Sequence, residues 1–251
     1  MHADVIKSLN ASSAKHYVLK TPLAYDAARA KYPNAKRAAF ATGCFWGSEK
    51  MFWRLSKGII STAVGYCGGP KSNTPPNYKS VCSGQTGHAE AVQVIYDPNQ
   101  ISYADLLRMF FESHDPTQGN GQGNDRGSQY RSGIYYEDDD HKRLAESSKS
   151  AYQGALRAAG KGRGHSITTE IKRLDEFFLA EDYHQQYLAK PGNRQYCSAE
   201  PQGISLPNFA DWAPGDLQQN YNPKLSDEFW KKHAPKEGCA LYSPNGPFSL
   251  T

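Results

Sequence analysis

With 251 residues, 38% of them hydrophobic, the chain can bury one sizeable core, and a net charge of +4 makes it only mildly basic. Its Lys and Arg residues are scattered rather than gathered into a stripe interleaved with aromatics, which argues against nucleic-acid binding. No stretch reaches the roughly 18 apolar residues that span a bilayer and the N-terminus carries no export signal, so a soluble cytoplasmic protein without membrane contact is expected, organellar import being the minority alternative.

Residues 1–35 are polar and pattern-poor and read as an N-terminal arm, with a short helix predicted over 25–30. Asn10-Ala11-Ser12 matches a glycosylation acceptor, a chance match in a chain without an export signal. A strand-like run of small and apolar residues over 37–41 leads through Thr42 and Gly43 into a helical composition over 48–55, and residues 58–66 are β-branched enough for a second strand. A loop rich in Gly, Pro, Asn and Ser fills 67–88. Residues 88–96 alternate, with Glu90, Val92, Val94 and Tyr96 on one face and Ala91, Gln93 and Ile95 on the other, which predicts a third strand. Leu106, Leu107, Phe110 and Phe111 fall at helical spacing within 103–113, and a second glycine-rich loop follows over 115–127. A strand over 131–137, a helix over 139–159, a strand over 166–172 and an aromatic loop-to-helix segment over 174–190 complete the patterned part. Beyond Cys197 the chain has seven prolines and no sustained period, which predicts an extended tail that wraps the surface or moves. Short strands interleaved with helices and broken by two turn-rich loops fit an α+β fold, a two-layer α/β sandwich with a mixed sheet, better than a doubly wound one. The expected division is an arm over 1–35, a catalytic domain over 36–198 and a tail over 199–251.

Gly43-Cys44-Phe45-Trp46-Gly47 places one thiol beside two aromatic rings, between a strand-like and a helix-like run. A cysteine at a helix N-terminus faces unpaired amides and the positive end of the helix dipole, which favour the nucleophilic thiolate. The five cysteines are odd in number and irregularly spaced, with no C-x-x-C pair, so neither a disulfide scaffold nor a closed zinc site is expected. Glu90 shares the face of Val92 and Val94; if that face is buried its carboxyl is a general acid, and if the strand's start is exposed it is ordinary, readings of equal weight on the pattern alone. The glycines of 119–127 follow a helix and lack the third glycine of a dinucleotide fingerprint, so this is read as a shaped loop presenting Asp125, Gln129, Tyr130 and Arg131 rather than a phosphate site. His88, His114, His165 and His184 have no triad partner in sequence and are assigned structural or surface roles. Phe177, Phe178, Tyr183 and Tyr187 are read as core packing.

Several stretches then agree on one family. The Cys44 motif, Val64-Gly65-Tyr66, Asn77-Tyr78-Lys79-Ser80-Val81-Cys82-Ser83-Gly84, Thr86-Gly87-His88-Ala89-Glu90, His114-Asp115-Pro116-Thr117, residues 122–133 and residues 181–188 occur in the order of the A-type peptide methionine sulfoxide reductases, which the chain resembles over about residues 36–198. The resemblance implies a ferredoxin-like core and thiol-dependent reduction of methionine S-sulfoxide, free or in proteins, without metal or organic cofactor. It implies Cys44 as nucleophile, Glu90 as proton donor, Tyr78 and Tyr130 as hydrogen-bond donors to the oxygen, Asp125 as a residue orienting substrate or water, and Phe45 and Trp46 as the seat of the substrate methyl. It implies a resolving thiol from the C-terminal segment, for which Cys197 is preferred and Cys239 is the alternative or a relay to thioredoxin. Cys67 stands where relatives usually have another residue and reads as a spare thiol, and the tail is longer than in many relatives, with folding back over the pocket as one option. A thiol peroxidase, or a non-enzymatic binder of oxidised methionine, would use part of the same set; nucleophile, acid, two phenols and aromatic cage together favour the reductase. With no heptad or long apolar face, a monomer is expected.

Overall fold

A computed structural model describes residues 13–71, 74–161, 166–236, 241 and 243–248. Strand β1 (Lys36–Thr42) runs into the helix Phe45–Arg54 and returns as β2 (Ile59–Cys67); β3 (Ala89–Tyr96) pairs antiparallel with both β2 and β1. The helix Tyr103–Glu112 follows. Next come a two-residue hairpin, β4 (Gly121–Gln122) with β5 (Asp125–Arg126), and strand β6 (Ser132–Tyr136), which lies antiparallel to β1. The helix Asp139–Ala158 leads to β7 (Glu170–Arg173), parallel to β6, and β8 (Phe178–Leu179) closes the far edge against β2. The sheet order is β7-β6-β1-β3-β2-β8, and its four central strands with the two crossover helices form the expected ferredoxin-like core in a mixed sheet.

Strand alternation assigns the two faces different work. Ala38, Phe40, Val64, Tyr66, Val92, Val94 and Tyr96 point into one core with Phe52, Leu55, Leu106, Leu107, Phe110 and Phe111 of the helices. Phe40 sits at the centre of this layer, stacked on Phe52 at 5.0 Å and packed on Phe110 at 5.6 Å. The opposite face is built of small residues, Ala39, Ala41, Ala89 and Ala91, which admits Tyr135 and Leu174 close to the sheet. Farther along that face the arm covers the strands: its helix Tyr25–Lys31 packs Ala28 with Ala35 and Ile95, and the Gln93 amide donates to the Leu23 carbonyl at 3.1 Å.

Local chemistry accounts for the departures from the sequence reading. The loop over 67–88 contains a five-residue helix, Tyr78–Cys82, made possible by a capping box between Asn77 and Ser80. The helix expected within 174–190 is replaced by β8, turns and the short 3₁₀ turn Tyr187–Ala189, because Gln186 adopts a left-handed backbone, φ 48°, that a continuing helix cannot contain. The strand expected over 166–172 is shorter and displaced by one residue, Glu170–Arg173 joining the sheet. The tail takes the wrapped alternative, with short helices Phe209–Trp212, Gln218–Tyr221 and Asp227–His233; the last carries Phe229 and Trp230 into the main core, and Leu206, Leu217 and Leu225 join them from the connecting segments. Two buried carboxylates of the Tyr103–Glu112 helix anchor it: Asp105 accepts from the Lys224 and Leu225 amides and Glu112 from the Leu206 amide. Among the described residues, no helix is long and apolar enough to cross a membrane.

Phe40→Ala removes a fully buried ring between two helices and is expected to cost about 3–5 kcal/mol, read as a lowered denaturation midpoint with an unchanged slope; a loss below about 1 kcal/mol would contradict this placement of the core.

Candidate active site

Strand β1 ends in a corner that only glycine fits. Gly43 has φ +96°, and a Cβ there would lie 2.6 Å from the Gln122 side chain. The corner delivers Cys44 as the N-cap of the helix Phe45–Arg54, and Ser48, bonded to Thr42 at 2.5 Å, also donates to the Cys44 carbonyl at 3.0 Å. Glu90 lies on the helix-facing side of β3, only 2% exposed, and its carboxyl accepts the Phe45 amide proton at 3.1 Å. Burial pushes this acid up to about 8; the Phe45 bond pulls it down, and the neighbouring Asp125 charge adds to the rise. The pattern left Glu90 between two readings, and its surroundings are those of the buried one.

The surroundings of Cys44 oppose the expected thiolate. Cys44 is only partly accessible within dense surroundings, and desolvation first, then Glu90, raise its thiol well above the ordinary range. The Trp46 amide bonded to the sulfur opposes the rise without cancelling it. Helix polarity therefore acts in the predicted sense, but the loss of hydration outweighs it.

Two phenols and a carboxylate share this space. The Tyr78 amide donates to Glu181 at 2.9 Å, and the Tyr66 hydroxyl donates to the other oxygen of the same carboxylate at 2.8 Å, which fixes the start of the short helix. Burial foremost raises the Tyr78 and Tyr130 hydroxyls; Glu90 adds to both, Cys82 and Cys44 to Tyr78, and Asp125 to Tyr130. Both remain neutral donors. Asp125 faces the C-terminal segment: Tyr196 donates to one oxygen at 2.8 Å and Ser198 to the other.

An aromatic wall stands beside them. Trp46 stacks on Tyr187 at 3.8 Å with a 7° interplanar angle, meets the edge of Tyr196 at 6.5 Å, and donates its indole N–H to His184 Nδ1 at 3.0 Å. His184 also packs against Phe45 at 5.1 Å, Tyr78 at 4.5 Å and Tyr183 at 4.1 Å. Burial lowers this imidazole to about 4, so it is neutral; with Nδ1 accepting, the tautomer assigned places the proton on Nε2. His184 is buried, as its structural reading allows, and Tyr187 packs against the main core as expected, both also standing in the wall of the site, whereas Tyr183 is exposed rather than core. The remaining histidines lie apart: buried His114 bonds the Phe110 carbonyl and Ser132, His88 bonds the Thr86 carbonyl, and His165 lies outside the described residues.

The thiols separate by position. Cys44, Cys67, Cys82 and Cys197 are not disulfide-bonded. Cys67 is buried on the small-residue face with its thiol pushed up by burial, and Cys82 ends the Tyr78 helix on the exposed side. Cys197 lies against Gly47, one turn along the helix that Cys44 caps, close enough that its charge bears on Cys44. Cys239 falls outside the described residues. Altogether the site gathers a cysteine thiol, a buried carboxyl, two phenols and an aromatic face.

Comparison with known proteins gives one answer. A family model described as peptide methionine sulfoxide reductase matches residues 36–208. A peptide methionine sulfoxide reductase MsrA of Azorhizobium caulinodans is 54% identical over 194 residues, covering 76% of this chain and 83% of its own length. One of Rippkaea orientalis is 51% identical over 195 residues, with coverage of 77% and 84%. Among solved structures, methionine sulfoxide reductase A of Corynebacterium diphtheriae superposes with a TM-score of 0.63 at 40% identity, covering 76% of this chain and 87% of that one. Reduced Mxr1 from Saccharomyces cerevisiae gives 0.58 at 36% identity, covering 66% and 90%.

The raised thiol predicts that alkylation of Cys44 by iodoacetamide, followed by peptide mapping, is still accelerating at pH about 9, the ordinary thiol value. A rate that levels off below pH about 7 would mean a resting thiolate.

Proposed function

The chain belongs to the peptide methionine sulfoxide reductase family of oxidoreductases, and we propose that it reduces the S epimer of methionine sulfoxide, free or within proteins, through a sulfenic acid on Cys44. The observation that carries this reading is the burial of Glu90 beside Cys44, its carboxyl on the Phe45 amide and the Cys44 sulfur on the Trp46 amide of the same helix turn.

A thiol attacks a sulfoxide slowly unless the oxygen is protonated as charge builds on it. The Glu90 proton goes to that oxygen as the Cys44 sulfur attacks the substrate sulfur, and the thiol proton of Cys44 restores the carboxyl. Transfer of the hydroxyl to Cys44 then releases the thioether. The sulfoxide gains two electrons and Cys44 loses two, becoming the sulfenic acid. Tyr78 and Tyr130 hold the oxygen by hydrogen bonds throughout, and their suppressed ionisation keeps them donors. The methyl group of the substrate rests on Phe45 and Trp46, the latter held by its stack on Tyr187 and its bond to His184. A chiral sulfur whose oxygen and methyl must meet opposite walls is accepted in one configuration.

Cys197 resolves the sulfenic acid. The S–O bond of Cys44 breaks, a Cys44–Cys197 disulfide forms, and the thiol proton leaves with the hydroxyl as water. Thioredoxin then returns the disulfide to two thiols, directly or by way of Cys239. Asp125 aids substrate positioning through the Tyr196 and Ser198 hydroxyls that it accepts. The unit that acts is a monomer.

The test is dithiothreitol-dependent reduction of the separated S and R epimers of a methionine sulfoxide peptide. Turnover of the S epimer alone, lost in Cys44→Ser, is expected; turnover of both epimers, or persistence in Cys44→Ser, contradicts the reading.

A further inference from the structure

The glycine-rich loop over 119–127 has no part in the chemistry above beyond Asp125, yet its inner edge is shaped to residues 196–200. Asp125 takes the Tyr196 hydroxyl on one oxygen and the Ser198 hydroxyl on the other, so the residues flanking Cys197 are held by a single carboxylate. Gly123 lies under the Ser198 carbonyl, in a left-handed conformation of φ +58°, where any β carbon would collide with that oxygen. Gln122 accepts the Glu200 amide at 3.0 Å and Gln118 meets the Glu200 carboxylate at 2.5 Å, while Gln118 also accepts the Gly123 amide at 2.8 Å.

The thiol between these anchors has its own seat. A β carbon on Gly47 would lie 2.5 Å from the Cys197 sulfur and 3.2 Å from its Cβ, and its three nearest contacts would all be with Cys197. Glycine within a helix is a weakening choice. Here it leaves the first turn bare where the second sulfur rests.

We infer that the loop over 119–127 is a cradle that presets Cys197 for condensation with Cys44, with Gly47, Gly123, Gln122 and Asp125 as positioning residues for that step. The inference rests on the resolving role proposed for Cys197. Before substrate arrives, the second thiol is already docked on the helix that carries the first, so the sulfenic acid meets its partner without a search by a free tail. Orientation of this kind is worth large factors, a misplacement of about 1 Å costing on the order of 100-fold in a reaction between held groups. The step is that of the proposed cycle: the S–S bond forms, the S–O bond of the sulfenic acid breaks, and water leaves.

Gly47→Ala and Ser198→Ala test it, one filling the seat and the other removing a hydroxyl anchor. The methionine released in the first turnover is followed separately from disulfide formation, the latter by quench, alkylation and mapping of the Cys44–Cys197 peptide. In both variants the first turnover is expected to stay within about twofold of wild type while disulfide formation slows, by about tenfold or more in Gly47→Ala. Sulfenic acid then accumulates and is captured by a cyclic dione, and the Gly47→Ala helix melts no earlier than wild type. Disulfide formation at the wild-type rate in both variants overturns the cradle, as does a first turnover slowed by the same factor as the disulfide step. A wild-type product without the Cys44–Cys197 disulfide overturns the resolving role and the cradle with it.

Discussion

The hydrogen bond from the Phe45 amide to Glu90 joins the two halves of the site, because it brings the central strand's one inward carboxyl directly under the helix that Cys44 caps. A carboxyl on a face otherwise given to Val92, Val94 and Tyr96 has lost most of its water, and the single amide bond replaces little of it. Its proton stays on near neutrality. The same dryness that holds the proton on Glu90 raises the Cys44 thiol, so on the proposed mechanism the resting pair is neutral and the charges of the reaction arise only when a sulfoxide oxygen is there to take the proton. Holding the nucleophile uncharged also limits its reaction with other oxidants, since the thiolate is the reactive form.

That arrangement needs a rigid back, and a second buried carboxylate supplies it. Glu49, on the far side of the Cys44 helix, accepts from Thr62 at 3.0 Å and from the Gln186 amide and side chain at 2.8 and 2.6 Å. His16 of the arm holds Thr62 from the other side at 3.0 Å, and the Tyr17 amide donates to Gln186 at 2.9 Å. Gln186 is the residue with the left-handed backbone, between the His184 and Tyr187 that brace Trp46. The arm, the helix that Cys44 caps and the aromatic wall are thus tied through one polar cluster, and a strained backbone is retained where three hydrogen bonds to Gln186 hold it.

Much of the architecture was legible because it rests on local periodicity. The alternation of β3 and the helical spacing of Leu106, Leu107, Phe110 and Phe111 each mark a face that meets the same core. The parts that were not legible depend on distant partners. Nothing near Cys44 in the chain reveals that Glu90 and burial will outweigh the helix end, and nothing near His184 reveals a bond to an indole 138 residues away. The aromatics over 177–187 read as core packing, and their actual places are set by Gln186 and by pairing with β2. The helix Tyr78–Cys82 escaped because its capping pair is short and set among loop residues.

The proposed mechanism has a protonated Glu90, rather than a preformed Cys44 thiolate, set the rate of the first chemical step. Its most direct test is the pH dependence of single-turnover methionine release in wild type and in Glu90→Gln. A carboxyl raised to about 8 is protonated below that pH and loses its proton above it, so the wild-type rate is expected to fall as pH rises through about 8. In Glu90→Gln the rate is expected to be at least about 100-fold lower and without that fall. A wild-type rate that instead climbs through pH 8 with the ionisation of a thiol, or a Glu90→Gln rate within a few-fold of wild type, would contradict the account.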